Sequence, residues 1–247
     1  MRFAIFKAGR STERGRRDLG DVHGMFMSLL AQPEDDWEVF EVREGMFPER
    51  LEVFDGIVIT GSPKSVYEDI PWVHQLLDVT REAYKAGVPL LGVCFGHQVV
   101  AQALGGEVIK NPKGWDLGIN QLELTAEGRR IPGLAQAPQP LRVLELHQDM
   151  VSRLPPGAQR LATSKTTENE MFRIGNQVLC IQGHPEMDNE EVRDIITSRD
   201  YIPQASVEKG LLTLHEQAHR EFFQSLMVGF LQNQSLEKQP AVSLATG

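Results

Sequence analysis

Continuous apolar segments of strand length alternate with segments of helix length in the first half of the chain. Strands are predicted at residues 54–63, "FDGIVITGSP", where an apolar run passes into a loop, and at residues 88–93, "VPLLGV". Helices are predicted at residues 71–87 and 97–106, each closed by glycine. Strands that are apolar throughout are typical of parallel sheets covered on both faces. We therefore expect an α/β fold with an open, mostly parallel sheet flanked by helices.

The second half of the chain is richer in short strands and then returns to helix. Helices are predicted at residues 188–199 and at about 206–231. The predicted strands of this half are residues 119–124, 141–146, 159–164, 171–174 and 177–182. The last fifteen residues are polar and show no periodicity, as is typical of a loose chain end. We expect one domain over residues 1–232 and a flexible tail over residues 233–247.

Composition and charge exclude several classes of protein. The net charge of −9 and the pI of about 5.3 argue against a nucleic-acid surface, which needs clustered Lys and Arg. The densest basic segment, residues 10–17, is predicted to be a solvated loop. Two cysteines are too few for a secreted disulfide framework, and neither a membrane span nor a signal peptide is found in the sequence. A cytoplasmic protein that binds neither nucleic acid nor membrane is expected.

The segment "GVCFGHQ" places Cys94 between two glycines at a switch from strand to helix. This G-x-C-x-G pattern has the form of a nucleophile elbow, with Cys in place of Ser. Such a turn projects its side chain into the cleft at the carboxyl ends of the strands. The helix N-terminus that follows offers free N–H groups, which favour a thiolate and a developing oxyanion. Cys94 is therefore a candidate nucleophile; the alternative is a buried cysteine in a glycine-flanked turn.

Two further motifs also follow predicted strands. In "QGHPEM", His184 and Glu186 are two residues apart, and Pro185 favours an extended backbone, so their side chains face the same way. A histidine held by a carboxylate is the base of Cys–His–acid catalysis. In "TGSP", Gly61 allows backbone N–H groups to approach a ligand closely. Because the carboxyl ends of parallel strands share one edge, the three motifs are expected to converge there.

Together these segments resemble the class I glutamine amidotransferase family. "TGSPKSVYED" is similar to its oxyanion-strand motif, "GVCFGHQ" to its nucleophile motif and "GHPE" to its His–Glu motif. Residues 144–164 resemble the segment before the His strand, and the resemblance covers about residues 1–200. Within the family, the motifs look most like those of stand-alone γ-glutamyl peptidases, which cleave γ-glutamyl bonds of glutathione-type compounds. The resemblance implies a flavodoxin-like fold.

The resemblance also implies a role for each matched residue. Cys94 would be the nucleophile, His184 the general base and then acid, and Glu186 the residue that orients the base. Gly61 and Phe95 would supply the N–H groups that bind the oxyanion. The implied reaction passes through a glutamyl thioester that water hydrolyses, with no metal or organic cofactor.

Four residues are candidates for substrate binding. Gln98, in the nucleophile motif, would contact the α-amino or α-carboxylate end of a γ-glutamyl group. Ser62 stands where the family often has glycine, and it is acceptable if only backbone N–H groups act there. Tyr67 and His147 are candidate lining residues. The expected partner is a small γ-glutamyl substrate, and the expected reaction is hydrolysis of the γ-glutamyl bond in glutathione, its conjugates or γ-glutamyl amines.

Other interpretations stay open at this stage. A glutaminase subunit would use the same residues but pass ammonia to a separate synthase, and a binding module would have lost the activity. The segment "HEQAH", residues 215–219, fits the H-E-x-x-H zinc motif if it is helical, but no third protein ligand is evident. His97 lies close enough in sequence to compete as the base, but near neighbours on a helix do not face each other.

Overall fold

The computed structural model describes residues 1–232, which form a sheet covered by helices on both faces. Its strands are β1 Arg2–Phe6, β2 Asp36–Phe40, β3 Gly56–Ile59, β4 Leu90–Val93, β5 Glu107–Lys110, β6 Asp116–Leu124, β7 Leu141–His147, β8 Asp149–Arg153, β9 Gln159–Thr163, β10 Met171–Ile174 and β11 Val178–Ile181. Its α-helices are α1 Glu13–Leu19, α2 Val22–Leu30, α3 Pro71–Lys85, α4 Phe95–Ala103, α5 Ala126–Arg130, α6 Pro132–Ala135, α7 Asn189–Ser198, α8 Gln204–Leu211 and α9 Arg220–Leu231.

The main sheet has the strand order β2-β1-β3-β4-β11-β10-β9-β6-β7. From β2 to β11 neighbouring strands are parallel, and from β11 to β7 they are antiparallel. Strands β5 and β8 pair in a separate antiparallel ribbon. This arrangement confirms the expected α/β fold. It also places the carboxyl ends of β1, β3, β4 and β11 at one edge, where ligands bind in open α/β sheets.

The apolar strands owe their continuous hydrophobicity to burial on both faces. In β1, Phe3 and Ile5 pack in a core with α2 and α9, whereas Ala4 and Phe6 pack in a second core with α3 and α4. Successive side chains of a strand point to opposite faces, so both faces need apolar residues. The parallel strands are thereby fixed as a rigid base for the loops at their carboxyl ends.

Two expectations about helices are wrong. The basic segment 10–17 is not a loop throughout, because it contains most of α1. The Thr12 hydroxyl accepts a hydrogen bond from the Gly15 N–H at 3.1 Å, and Gly20 ends the helix at φ 75°. The helix expected over about 206–231 is broken, since α8 ends at Leu211 and α9 begins at Arg220.

The expected tail, residues 233–247, lies outside the described residues. Within residues 1–232, each helix falls short of the length and continuous apolarity that a membrane crossing requires.

Candidate active site

Cys94 lies on the turn between β4 and α4 in a strained backbone conformation. Its φ is 53° and its ψ is −106°, a region that residues other than glycine rarely adopt. The turn is held on both sides: the Cys94 N–H donates to the Ile181 carbonyl at 2.9 Å, and the Gln98 N–H donates to the Cys94 carbonyl at 3.1 Å. Strain that the surroundings maintain is common at functional sites, where it fixes the direction of a side chain.

The two glycines of the turn are required by close backbone contacts. A Cβ on Gly92 would lie 2.6 Å from the Gly96 carbonyl oxygen, and a Cβ on Gly96 would lie 2.0 Å from the Ile59 carbonyl oxygen. Both distances are too short for real atoms. The G-x-C-x-G spacing therefore lets the start of α4 rest directly against β3, which brings its N-terminus beside the end of that strand.

His184 and Glu186 follow β11 and form a buried pair. The His184 Nδ1 is 2.7 Å from the Glu186 Oε1, and both side chains are almost fully buried. The His184 N–H donates to the Leu144 carbonyl at 2.7 Å, which fixes the backbone of the turn to β7. The structure thus brings the two residues together as the i, i+2 spacing predicts.

The other ring nitrogen of His184, Nε2, is buried and has no hydrogen-bond partner among residues 1–232. Because Glu186 occupies Nδ1, the interaction of His184 with the Cys94 side chain falls to Nε2. Burial acts to lower the pKa of His184, but the charges of Cys94 and Glu186 outweigh it and raise that pKa well above its usual range. A raised pKa favours the protonated form of the His184 imidazole.

Gly61 and Phe95 place backbone N–H groups around Cys94. A Cβ on Gly61 would lie 2.9 Å from the His184 Cε1 and 3.7 Å from the Cys94 Cβ, so this loop passes directly over the pair. Phe95 is the first residue of α4, whose opening N–H groups have no partner within the helix. The two residues expected to bind an oxyanion therefore do meet at the nucleophile.

A cavity beside Cys94 contains three of the four candidate substrate-binding residues. Ser62, Gln98 and His147 line it, and its space, including the part open to solvent, is about 680 Å³. The Gln98 Nε2 donates to the Asp149 carbonyl at 2.9 Å, and the His147 Nδ1 lies 3.0 Å from the same oxygen. Both side chains are therefore held in place before any ligand arrives.

Tyr67, the fourth candidate, is not part of the lining of this cavity. Its side chain is half exposed, and its hydroxyl donates to the Asp149 Oδ1 at 2.8 Å. Ser65 also donates to the Asp149 carboxylate. Tyr67 thus ties the loop after β3 to the start of β8, and its position fits a supporting contact rather than a direct one.

The chain matches a protein-family model and several known proteins. The family model of class I glutamine amidotransferases matches residues 32–202. Gamma-glutamyl peptidases 4 and 3 of Arabidopsis thaliana are 34% and 32% identical to the chain, over 94% and 93% of its length and 96% of theirs. The chain belongs to the class I glutamine amidotransferase family.

Solved structures of amidotransferases share the fold. A glutamine amidotransferase from Thermotoga maritima is 23% identical, with a TM-score of 0.70 over 95% of this chain and 96% of its own. One from Methylobacillus flagellatus is 22% identical, with a TM-score of 0.71 over 95% and 91%. At this identity the likeness concerns the fold alone.

The two alternative histidine sites do not form. The segment 215–219 is a turn and a loop rather than a helix, so His215 and His219 lack the one-turn spacing of the zinc motif. The His219 Nδ1 instead accepts from the Arg142 N–H at 2.9 Å. His97 is fully buried against Phe172, and burial lowers its pKa to about 3, so it is not placed to serve the amidotransferase elbow.

Beneath the amidotransferase site lies a buried acidic group that sequence reasoning missed. Glu145, His147 and Glu170 have ligand atoms within 4.8 Å of one another, close enough to hold a metal ion. Burial raises the pKa of both carboxyls well above the usual range, with Asp116 acting further on Glu145 and Glu145 on Glu170. Neutral carboxyls are poor metal ligands, so protons suit this group better than a cation. Glu145, inside the strand predicted at residues 141–146, was the signal available in the sequence, whereas Glu170 lies just before a predicted strand.

Proposed function

We propose that the chain is a cysteine-dependent hydrolase of γ-glutamyl amide and peptide bonds. The observation that carries this proposal is the buried His184–Glu186 pair beside Cys94, which lies on a strained turn at a helix N-terminus. Its relatives named gamma-glutamyl peptidases support the bond type. Glutathione, its conjugates and γ-glutamyl amines are the substrates proposed.

In the first half of the reaction Cys94 forms a covalent bond with the substrate. The proton of the thiol passes to the His184 Nε2, and the sulfur attacks the γ-carbonyl carbon. The negative charge that develops on the carbonyl oxygen is bound by the N–H groups of Gly61 and Phe95. The C–N bond then breaks as Nε2 returns its proton to the leaving nitrogen, which leaves a γ-glutamyl thioester on Cys94.

In the second half water releases the glutamyl group. His184 removes a proton from a water molecule, the oxygen attacks the thioester carbonyl, and the C–S bond breaks to give glutamate. Glu186 keeps Nε2 directed at the reacting atoms by holding Nδ1–H, and it stabilises the imidazolium that forms twice in the cycle.

The cavity with Gln98 and His147 suits the γ-glutamyl end of the substrate. Gln98 and His147 are anchored on one backbone oxygen, and Ser62 lines the same space. Preorganised polar groups bind a small zwitterion without first having to be ordered. We assign Tyr67 a supporting contact through Asp149.

A glutaminase that serves a separate synthase is the second candidate. The glutamine-hydrolysing GMP synthase of Sulfolobus acidocaldarius has one component that is 33% identical over 58% of the chain and 73% of its own length. The match is shorter than that with the gamma-glutamyl peptidases, which span nearly the whole chain. This function would use the same thioester but would need a synthase partner to accept ammonia.

The deciding experiment tests the purified chain alone. Glutamine, glutathione, a glutathione S-conjugate and a γ-glutamyl amine are supplied separately, and released glutamate and cysteinylglycine are measured. Cys94→Ala should abolish turnover, whereas Cys180→Ala, in the core of β11, should retain it. Activity on glutamine alone, or only with a partner, would favour the glutaminase; an active Cys94→Ala protein would refute the mechanism.

A further inference from the structure

The cleft at Cys94 consists of two cavities that meet at the nucleophile. The first contains Gln98 and His147, as described above. The second contains Gly61 and His184 and encloses about 400 Å³, counting the space open to solvent. Lining residues common to both are Ser62, Pro63, Cys94, Leu146 and Arg199. A substrate that spans Cys94 would therefore place one end in each cavity.

The position of the general acid decides which end enters the second cavity. The nitrogen that leaves must lie within hydrogen-bond reach of the His184 Nε2, because that atom supplies its proton. His184 lines the second cavity and not the first. The leaving group therefore occupies the second cavity, and the γ-glutamyl group occupies the first.

The second cavity combines apolar walls with two arginines. Its apolar residues include Val22, Met187 and Ile195. Arg10 and Arg199 also line it, and within residues 1–232 neither guanidinium forms an ion pair with a carboxylate. Arg199 lies over the ring of Tyr201, 5.9 Å from its centroid, which restricts its position.

Acidic side chains are available to arginines on this part of the surface. Arg14, on the neighbouring helix α1, is 2.6 Å from Asp188 and within 4 Å of three further carboxylates. The chain as a whole carries a net charge of −9. Two guanidinium groups left without an acid at the mouth of an apolar cavity indicate that an anion from outside is their partner.

We propose that Arg10 and Arg199 bind a carboxylate on the leaving group. The favoured substrate is then a γ-glutamyl peptide with a free C-terminal carboxylate, rather than glutamine or a γ-glutamyl amine. This inference rests on the proposed function, because it assigns the second cavity to the leaving group of that reaction. Ammonia and simple amines offer nothing for the two arginines to bind.

The test compares substrates that differ in one carboxylate. Glutathione and its C-terminal carboxamide differ only at the leaving end, and the ratio of their kcat/KM values measures the contribution of that carboxylate. The native enzyme should prefer glutathione by roughly tenfold or more, as expected for a charge-assisted contact. Arg10→Gln and Arg199→Gln should each lower the ratio several-fold, mainly through KM. Arg193→Gln is the matched control, since Arg193 is exposed on α7 outside both cavities.

A second pair of substrates tests the opposite assignment. γ-Aminobutyryl-cysteinylglycine lacks the α-carboxylate of the glutamyl end but keeps its amino group and the leaving dipeptide. The second pair is glutathione and this analogue. If Arg10→Gln and Arg199→Gln changed the ratio of kcat/KM values for the second pair and not for glutathione and its carboxamide, the arginines would serve the glutamyl end. The proposal would then be overturned. Equal cleavage of glutathione and its carboxamide by the native enzyme would overturn it as well.

Binding to Cys94→Ala separates this inference from the proposed function. Calorimetry of that protein with glutathione and with its carboxamide measures carboxylate preference without turnover. Tighter binding of glutathione, lost in Arg10→Gln and Arg199→Gln versions, supports the inference even if the native chain hydrolyses neither compound. Equal binding overturns the inference whether or not the chain is a hydrolase.

Discussion

Cys94 and His184 influence each other through their charges. Burial alone would lower the pKa of His184, and the charges of Cys94 and Glu186 raise it. An imidazole whose folded pKa is raised stabilises the protein most below its unperturbed value of about 6.5, and this stabilisation is lost as the pH rises through the folded pKa.

The first prediction concerns that coupling. Cys94→Ala removes one of the two charges while burial remains, so the pKa of His184 should fall. An NMR titration of the His184 ring should show the change in protonation at lower pH in Cys94→Ala than in the native protein. Cys180→Ala, which removes a buried thiol that packs in the other apolar core, should leave the titration unchanged. An unchanged titration in Cys94→Ala would contradict the placement of Nε2 beside the sulfur.

The second prediction ranks the two members of the His184–Glu186 pair. His184→Ala removes the base and acid of both half-reactions, and kcat should fall by about 10²–10⁴-fold. Glu186→Gln should cost less, because it misorients and destabilises the imidazolium without removing it. Steady-state rates give the order, and Glu190→Gln, an exposed carboxylate at the start of α7, serves as control. The reverse order would argue against these roles.

Residues whose roles are set by local spacing were predictable from the sequence. Cys94, His184, Glu186 and Gly61 each follow an apolar strand, and the carboxyl ends of parallel strands share one edge. Tyr67 shows the limit of this reasoning. Proximity in sequence placed it near the cleft, but which way its side chain turns depends on Asp149, which is 82 residues away.

The residues around Cys94 were predictable from sequence motifs, whereas Arg10 and Arg199 were not. Arg10 and Arg199 belong to segments that no motif connects, and they meet only because the loop after β1 and the end of α7 border the same cavity. A pair of this kind has no sequence spacing that would identify it.

Helix α4 and strand β3 behave as one element because their backbones touch. The third prediction tests this contact: Gly96→Ala places a Cβ 2.0 Å from the Ile59 carbonyl oxygen, and the backbone must move to admit it. The cost should be about 1–3 kcal/mol or more of unfolding free energy. Urea denaturation measures it, together with a loss of activity from the displaced elbow.

A glycine elsewhere provides the comparison for Gly96. Gly157 has φ 78° but no neighbouring atom within 4 Å of an added Cβ, so alanine there adds only backbone strain of about 1 kcal/mol. Gly157→Ala should therefore be the milder change and should retain activity. If Gly96→Ala proved as mild, the contact between α4 and β3 would not be tight.

Helix boundaries were less predictable than strands. Helix α1 was missed because its arginines suggested a solvated loop, although Thr12 and Gly20 are ordinary signals for its two ends. The break between α8 and α9 was missed because the segment between them has the composition of a helix. There His219 is drawn out of helical register by its contacts with Arg142 on β7.

The buried carboxyl groups of Glu145 and Glu170 make the stability of the whole molecule depend on pH. Both have a folded pKa raised by burial above the unperturbed value of 4.5, so the folded state keeps protons that the unfolded state releases. Their contribution to stability is therefore greatest below about pH 4.5 and declines as the pH rises toward the folded pKa values.

The fourth prediction follows from this sign. Glu170→Gln is neutral at every pH, so its stability relative to the native protein should improve as the pH rises from 4 to 8. Urea unfolding across that range measures the difference. Glu168→Gln, an exposed carboxylate paired with Arg160, should show no such improvement. A difference that stayed constant with pH would mean that Glu170 is already ionised in the folded state.

We further propose that residues 1–232 form one folding unit. The apolar cores include residues from β1 at one end of this range and α9 at the other, such as Phe3 and Leu231. A chain that ends at Gln232 should unfold at the same temperature and with the same single transition as the full chain. A lower temperature or a second transition would show that residues 233–247 contribute to the fold.

The fold class was predictable because burial on both faces leaves a visible pattern in single strands. The pairing of β11 with β4 on one side and β10 on the other was not, since strand neighbours are set by contacts distant in sequence. Sequence patterns located β6, β7, β9, β10 and β11 but missed β5 and β8, and they did not show that the pairings of the second half are antiparallel.

The change from parallel to antiparallel pairing at β11 also bears on how this fold can evolve. Strands β5 to β10 form one continuous segment, residues 107–174. This segment lies between helix α4 and strand β11, which precedes His184. Two recombination events, one on each side of this segment, would therefore exchange all of it as a unit, including His147 and Asp149. A lineage could acquire a new glutamyl-side pocket in this way without altering the segments that bear the proposed chemistry.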